Sequence, residues 1–273
     1  MSRLHVISFN VRCSRVDATS GPAPARPGDP DHWPDRVPVL TEHLRSERPT
    51  VLGLQEPYGH QLAMIERALP EHRVVGYGRE GGSHGEYSAI LYDTAEVEVL
   101  EWDQLWLSDT PKVIGSTSWG NTIPRIVVWA RMRSLTDGAE FVTINTHLDH
   151  RSERARVAGA AMIIELRSLF PDLPYVVTGD FNTPARDSAT FKTFTDSGLF
   201  SDSWDRAAER VSPEWGTFPN YGDPSVGGPR IDWVLVTDGV EVHRAGITPV
   251  VRDGRHASDH IPVHAEIEVR PRS

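Results

Sequence analysis

Short apolar runs that end on a polar side chain recur along this chain. LHVISFNV at 4–11 reads as an opening strand and closes near Asn10. Residues 14–38 break the pattern with prolines, glycines and aspartates, the composition of an excursion from the core. Beyond it, Val37, Leu40 and Leu44 recur at three- and four-residue spacing, which predicts a helix, and PTVLGLQE returns to an apolar run ending in Glu56. The first unit is therefore strand, long loop, helix, strand.

GHQLAMIERALP places Leu62, Ile65 and Leu69 on one helical face, with Pro70 as the stop. RVVGYG, YSAILYD and VEVLEWDQLWLS read as successive strands, and the glycine-rich loop from Gly78 to Glu86 precedes the middle one. RIVVWARMRS and AEFVTINTHLDH around the turn TDG read as a hairpin or adjacent core strands, with His147, Asp149 and His150 at the exit. SERARVAGAAMIIELRSLF is the longest helix candidate, striped by Ala160, Ile163, Leu166 and Phe170 and closed by Pro171. YVVTGDFNTP restores a buried strand. A loop-rich stretch over 185–229, with a short helix around Phe191 and the aromatic loop WGTFPNYG, leads to RIDWVLVTDG, VEVHRAGI and HIPVHAEIEVR. No internal repeat or composition break divides the chain, so one α/β domain over 1–273 is expected.

Composition changes this picture little, but charge changes the functional one. The 273 residues are 38% hydrophobic, enough to fill a large core, and 28 basic against 38 acidic side chains leave a net charge of −10. A bulk polyanion binder needs a basic face, so no stable nucleic-acid complex is expected; a single phosphate can still be met through a bound cation. The N-terminus MSRLHVISFNV lacks a leader pattern, and no apolar run reaches the roughly 18 residues that cross a bilayer, so a soluble cytoplasmic protein without membrane attachment is expected. The single cysteine, Cys13, excludes an internal disulfide and any cysteine-cluster metal site.

The polar residues at the strand ends carry the chemistry. Asn10, Glu56, His147, Asp180 with Asn182, and Asp259 with His260 fall where α/β sheets place active sites. Each has a plainer reading: TGDFN can be an Asx-stabilised turn, Glu56 a solvated strand terminus, and Asp259–His260 a polar strand start. Taken together, Asn10, Glu56, Asp180, Asn182 and Asp232 form an oxygen-rich set suited to Mg²⁺ or Mn²⁺. No GxxxxGK segment is present to hold a phosphate instead. His260 suits proton transfer or charge stabilisation, but neighbours on an extended strand point opposite ways, so its orienting carboxylate need not be Asp259.

The ordered segments ISFNV (7–11), LGLQE (52–56), NTHLDH (145–150), TGDFN (178–182), RIDWVLV (230–236) and SDHIPV (258–263) resemble the endonuclease/exonuclease/phosphatase superfamily of Mg²⁺-dependent phosphoesterases, over residues 4–269. The resemblance implies a four-layer α/β sandwich, two mixed β-sheets packed face to face and flanked by helices. It implies Asn10 and Glu56 at the principal metal site with Asp259 as a metal-associated carboxylate. His147 would contact the scissile phosphate, Asp180 with Asn182 beside it would position the water, and Asp232 would orient His260. SFNVR, GRxGGxxGE at 78–86 and LWLSxTP at 105–111 resemble the bacterial deadenylase-like and small-molecule phosphatase branches more than the abasic-site repair branch.

For the substrate, Arg125, Asn121, Glu86 and His84 are candidate contacts in the loops, with bracing or surface ion pairing as their ordinary alternatives. Trp119, Trp204 and Trp215 stand in polar contexts where a ring can stack on a planar group or pack a lid, whereas Trp102, Trp106, Trp129 and Trp233 sit in strands as structural residues. The expected substrate is a small phosphorylated metabolite, nucleotide or short oligonucleotide, acted on by a monomer. A DNase-like nuclease on the same scaffold, a dinuclear zinc hydrolase prompted by His147, Asp149 and His150, and a non-catalytic binding module are the alternatives.

Overall fold

The computed structural model describes residues 2–14 and 24–269. In chain order, β1 (Ser2–Asn10), α1 (Trp33–Glu47), β2 (Val51–Gln55), α2 (Gly59–Ala68), β3 (His72–Val75) and β4 (Ile90–Asp93) come first. β5 (Val97–Trp106), β6 (Ile126–Ser134), β7 (Glu140–His147), α3 (Glu153–Glu165) and β8 (Tyr175–Asp180) follow. The rest comprises α4 (Ala189–Asp196), β9 (Ser201–Asp202), α5 (Ser203–Arg206), β10 (Glu209–Arg210), β11 (Asp232–Val236), β12 (Val240–Ile247), β13 (Val251–Arg252), β14 (Arg255–His256) and β15 (Val263–Val269).

Two large sheets result, ordered β10-β12-β15-β1-β2-β4-β3 and β5-β6-β7-β8-β11-β9. Both are mixed: β1 is parallel to β2 but antiparallel to β15, and β7 is parallel to β8 but antiparallel to β6. Period-two alternation explains the layering. Leu4 and Val6 of β1 face the other sheet and share one core with Val128, Phe141, Val176 and Val234. Ile7 and Phe9 face the other way, onto Leu40 and Leu44 of α1 and Leu62 and Ile65 of α2. On the far side, Ala160 and Ile163 of α3 and Phe191 and Phe194 of α4 cover Ile144, Val177, Trp233 and Leu235. This is the four-layer sandwich that the sequence resemblance implies.

The early excursion differs from the expectation. Residues 15–23 lie outside the described residues, and α1 starts at Trp33 instead of near Val37. Pro34 sits in the first turn, where a missing N–H costs nothing, and Trp33 and Arg36 are buried beneath the helix. Among the described residues, no helix is long and apolar enough to cross a membrane.

Towards the strand exits the inner layer turns polar. Gln55 Nε2 donates to Asn145 Oδ1 (2.7 Å) and to Ser8 Oγ (3.2 Å), and Asn145 Nδ2 donates to the Leu54 and Ala89 carbonyls at 2.8 and 2.9 Å. Thr178 Oγ1 adds a 3.0 Å contact to Asn145 Oδ1. Every one of these side chains is buried, and apart from Gln55 Oε1 the bonds above offset the cost of burying their polar atoms, so the tier fixes how the strand ends above it face one another.

Candidate active site

The inner-facing series of each strand continues through this tier to a chemically active residue. In β1 it runs Leu4, Val6, Ser8, Asn10; in β7 Phe141, Thr143, Asn145, His147; in β8 Val176, Thr178, Asp180; and in β11 it begins at Asp232. Register does the rest. His147 pairs with Asp180 across β7 and β8, and Asp180 pairs with Asp232 across β8 and β11, so three functional side chains sit side by side.

Where the strands end, the backbone leaves the extended region. Arg12, Glu56 and Asn182 adopt φ of 55°, 70° and 53°, left-handed conformations that non-glycine residues rarely take. At Asn182 the turn returns the backbone N–H to Asp180 Oδ1 at 2.9 Å, so Asp180 and Asn182 do not share a face by alternation as an extended chain would require. Such strain persists only where surrounding bonds over-determine it, and three of the eight non-glycine residues with positive φ among the described residues line one cavity.

Asn10 Nδ2 donates to Glu56 Oε1 at 3.0 Å and to Asp180 Oδ2 at 2.9 Å, while its Oδ1 accepts the Arg12 N–H at 3.0 Å. Asn10 thus braces two carboxylates with its amide nitrogen. Its oxygen, which accepts the turn N–H, keeps a second lone pair. Asn182 Nδ2 lies 2.8 Å from His147 Nε2 and 3.0 Å from the Leu148 carbonyl. With Nδ2 donating to both, Nε2 accepts and Nδ1 carries the His147 proton. Burial, reinforced by the Arg125 charge, holds His147 well below its ordinary pKa and therefore neutral.

His260 is joined to Asp232 through Nδ1 at 2.9 Å, with its Nε2 3.7 Å from Asp180 Oδ2. Burial opposes the charged ring, but the Asp232 and Asp180 carboxylates raise it to about 10. Asp180 is pushed up to about 7 by burial and by Asp232. Burial would also raise Glu56, yet the Arg12 guanidinium and the Asn10 bond hold it below the ordinary carboxylate range. Asp259 is raised by burial, and its Oδ2 stands 3.6 Å from Arg12 Nε.

These groups open into a cavity of about 500 Å³ lined by Glu56, His147, Asp180, Asn182, Asp259 and His260. Of the expected substrate contacts, Arg125 and Glu86 line it. Arg125 reaches His150 Nδ1 at 2.9 Å, and Glu86 is gripped by Arg79 at 2.6 and 3.0 Å. Asn121, His84 and Trp215 do not line it. Asn121 is buried and donates to the Ile123 carbonyl, His84 is exposed at the tip of its loop, and Trp215 packs onto the core between the sheets. Trp204 is likewise buried in that core, while Trp102, expected to be structural, is 41% exposed.

Sequence reasoning missed Arg12, Arg79, Ile123, Arg151 and Phe218, all on the cavity wall. Phe218 rests over the His260 ring with centroids 4.7 Å apart. Arg12 and Arg79 do stand within the segments SFNVR and GRxGGxxGE, but nothing in those segments marks which side chains reach the cavity. Phe218 did lie in the aromatic loop WGTFPNYG, and its signal was masked by the larger Trp215.

Glu56, His147 and Asp180 each bring a ligand atom within 4.8 Å of the others. A buried carboxyl raised by a second carboxylate marks a surplus of negative charge that a cation relieves. The two carboxylates are donors of the kind a hard divalent ion accepts, so Glu56 and Asp180 fit one as its holders, with His147 beside them.

Residues 7–260 match the model of the Endonuclease/Exonuclease/phosphatase family. Among solved structures, an endonuclease/exonuclease/phosphatase from Bacteroides vulgatus is 28% identical with a TM-score of 0.88, covering 99% of this chain and 100% of that one. A mannosyl-6-phosphatase from Bacteroides thetaiotaomicron is 33% identical with a TM-score of 0.86, covering 97% and 99%. The human Nocturnin catalytic domain, at 15% identity and a TM-score of 0.73 over 98% and 94%, shares the fold. A curated relative, protein angel of Drosophila melanogaster, is 27% identical over 161 residues; the match takes in 55% of this chain and 44% of that protein, so the chain spans less than half its length.

Proposed function

The chain belongs to the endonuclease/exonuclease/phosphatase family, whose members hydrolyse phosphoesters, and from that premise we propose a divalent-metal-dependent phosphoesterase acting on a small phosphorylated metabolite. The observation that carries this reading is the convergence of His147, Asp180, Asp232 and His260 with Glu56 at one cavity mouth.

Asp232 holds His260 by Nδ1 and directs Nε2 towards Asp180. Raised to about 10, His260 is an imidazolium at neutral pH, so it stabilises charge on the phosphate instead of acting as the base. Asp180, raised to about 7, is the residue poised to orient a water and take its proton. Neutral His147 has one ring N–H to offer a phosphate oxygen, and Arg125 adds a permanent charge on the cavity wall. The divalent ion, Mg²⁺ or Mn²⁺, supplies charge neutralisation at the phosphate and lowers the pKa of a bound water when present.

A cavity of about 500 Å³ suits a metabolite-sized ligand, and the likeness to a mannosyl-6-phosphatase supports a sugar phosphate as substrate. The test is a screen of metal-stripped protein with Mg²⁺ or Mn²⁺ across hexose phosphates, inositol phosphates, nucleotides, nicotinamide dinucleotides and short RNA and DNA. Phosphate release from a hexose phosphate supports the reading. Cleavage confined to the oligonucleotides overturns it in favour of a nuclease.

A further inference from the structure

We propose that Glu86, held by Arg79, selects a hydroxyl-bearing leaving group, its carboxylate accepting from a hydroxyl of the phosphorylated sugar. Glu86 shares the cavity wall with His147 and Arg125, yet it stands outside both groups of converging ligand atoms, Glu56 with His147 and Asp180, and Asp180 with Asp232 and His260. It is therefore a carboxylate at the site that neither group of ligand atoms uses. Arg79 binds both of its oxygens, at 2.6 and 3.0 Å, and the two side chains are 12% and 15% exposed. A carboxylate has roughly four acceptor positions, so this grip fixes the direction of Glu86 and leaves each oxygen able to accept once more. The charge of the pair decides from what. Arg79 cancels Glu86 and Arg125 stands beside them, so an ammonium group is repelled, while a second phosphate would meet the Glu86 oxygens. A neutral O–H donor suits the pair. An apolar leaving group would cover the carboxylate and leave its remaining lone pairs without partners, which costs affinity.

The glycine-rich loop is built to hold this pair at a set depth. Within it the Gly78 N–H donates to the Gly82 carbonyl at 2.8 Å, the Glu80 N–H to the His84 carbonyl at 3.1 Å and the Arg79 N–H to the Glu86 carbonyl at 3.0 Å. The two arms close so tightly that a Cβ at Gly78 would stand 1.9 Å from the His84 carbonyl oxygen. Each end is then tied to the frame. Trp106 Nε1, from the end of β5, donates to the Arg79 carbonyl at 2.7 Å. The Tyr87 N–H donates to the carbonyl of Pro57, the residue after Glu56, at 2.9 Å. Backbone order of this kind lets a loop residue discriminate between ligands, because the carboxylate cannot swing aside when its hydroxyl partner is missing.

The inference rests on the phosphoesterase reading, and a pair of substrates separates the two. Phosphate release with Mn²⁺ is measured from a hexose 6-phosphate and from cyclohexylmethyl phosphate, which keeps the ring and lacks the hydroxyls. The wild-type kcat/KM is expected to favour the hexose phosphate by about 100-fold or more, and Glu86→Gln to shrink that ratio by about 10-fold or more. A merely structural role would slow both esters alike and leave the ratio where it was. Should Glu86→Gln fold poorly, the monodeoxy hexose phosphates test the wild type itself, and removal of one particular hydroxyl is expected to cost about 10-fold or more in kcat/KM. A wild-type ratio near one, an unmoved ratio in folded Glu86→Gln, or a deoxy series that stays within threefold each overturn the role of Glu86 and leave the phosphoesterase standing. No phosphate from either ester overturns the hexose-phosphate function and this inference together.

Discussion

A histidine that stabilises charge on a phosphate needs its ring oriented and its own charge supported, and here Asp232 is placed to do both from a neighbouring strand. Adjacent Asp259 points elsewhere, as strand geometry requires. Asp232→Asn keeps the shape but removes the charge that raises His260, so kcat is expected to fall by about 100-fold or more with KM little changed. A pair of steady-state parameters within threefold of wild type would contradict that role. Asp180→Ala and His260→Ala are each expected to reduce turnover to background while circular dichroism and the melting transition stay near wild type. At this scale the sequence was most legible where an apolar run ends in Asn, Glu, Asp or His, because such an ending is costly in a core and conspicuous at its edge. The roles of Arg12 and Arg79 were not legible: they come from Glu56 and Glu86, 44 and 7 positions further along the chain, which only folding brings to them.

Strands deliver these residues only if the sheets close to a set distance, and Gly53 of β2 marks the closest approach. A Cβ there would stand 2.1 Å from Thr178 Oγ1 and 2.8 Å from Asn145 Oδ1. Gly53→Ala is therefore expected to destabilise the protein by about 1–3 kcal/mol in urea unfolding, by forcing apart the polar tier under Asp180. Unaltered stability would show that the tier yields without cost. The packing of α1 on β1 and β15 makes a second prediction. His264 is lowered to about 4 by burial, with His5 and His43 as further like charges, so the folded state keeps it neutral where the unfolded chain, near 6.5, takes up a proton. Stability is thus full above about pH 6.5 and is lost as pH falls towards 4. His264→Gln should flatten the urea-midpoint profile in that window, and an unchanged slope would refute this assignment.

The long elements were legible because their periodicity is extended and punctuated by proline or glycine. The two-residue strands β9, β10, β13 and β14 were not, since pairing at that length leaves no pattern. The early start of α1 was hidden because Pro34 and Pro38 read as loop residues until Trp33 and Arg36 find their burial.

For the whole molecule, the net charge of −10 and the arginines around the cavity act at different ranges. On the proposed function, the global field would repel long polyanions, whereas a divalent ion and Arg125 would serve one phosphate at contact distance, where salt screens little. Hydrolysis of a small ester is expected to change by less than about twofold between 50 and 200 mM salt, against the loss of about 10³ or more typical of proteins that grip many phosphates. A steep salt slope would point back to a nucleic-acid substrate. The most direct measurement is phosphate release from a hexose phosphate by metal-stripped protein as Mn²⁺ is added, for wild type and Asp180→Ala in parallel. Saturable, Mn²⁺-dependent release by the wild type that vanishes in Asp180→Ala is the expected result; release that needs no metal, or that survives Asp180→Ala, would contradict it.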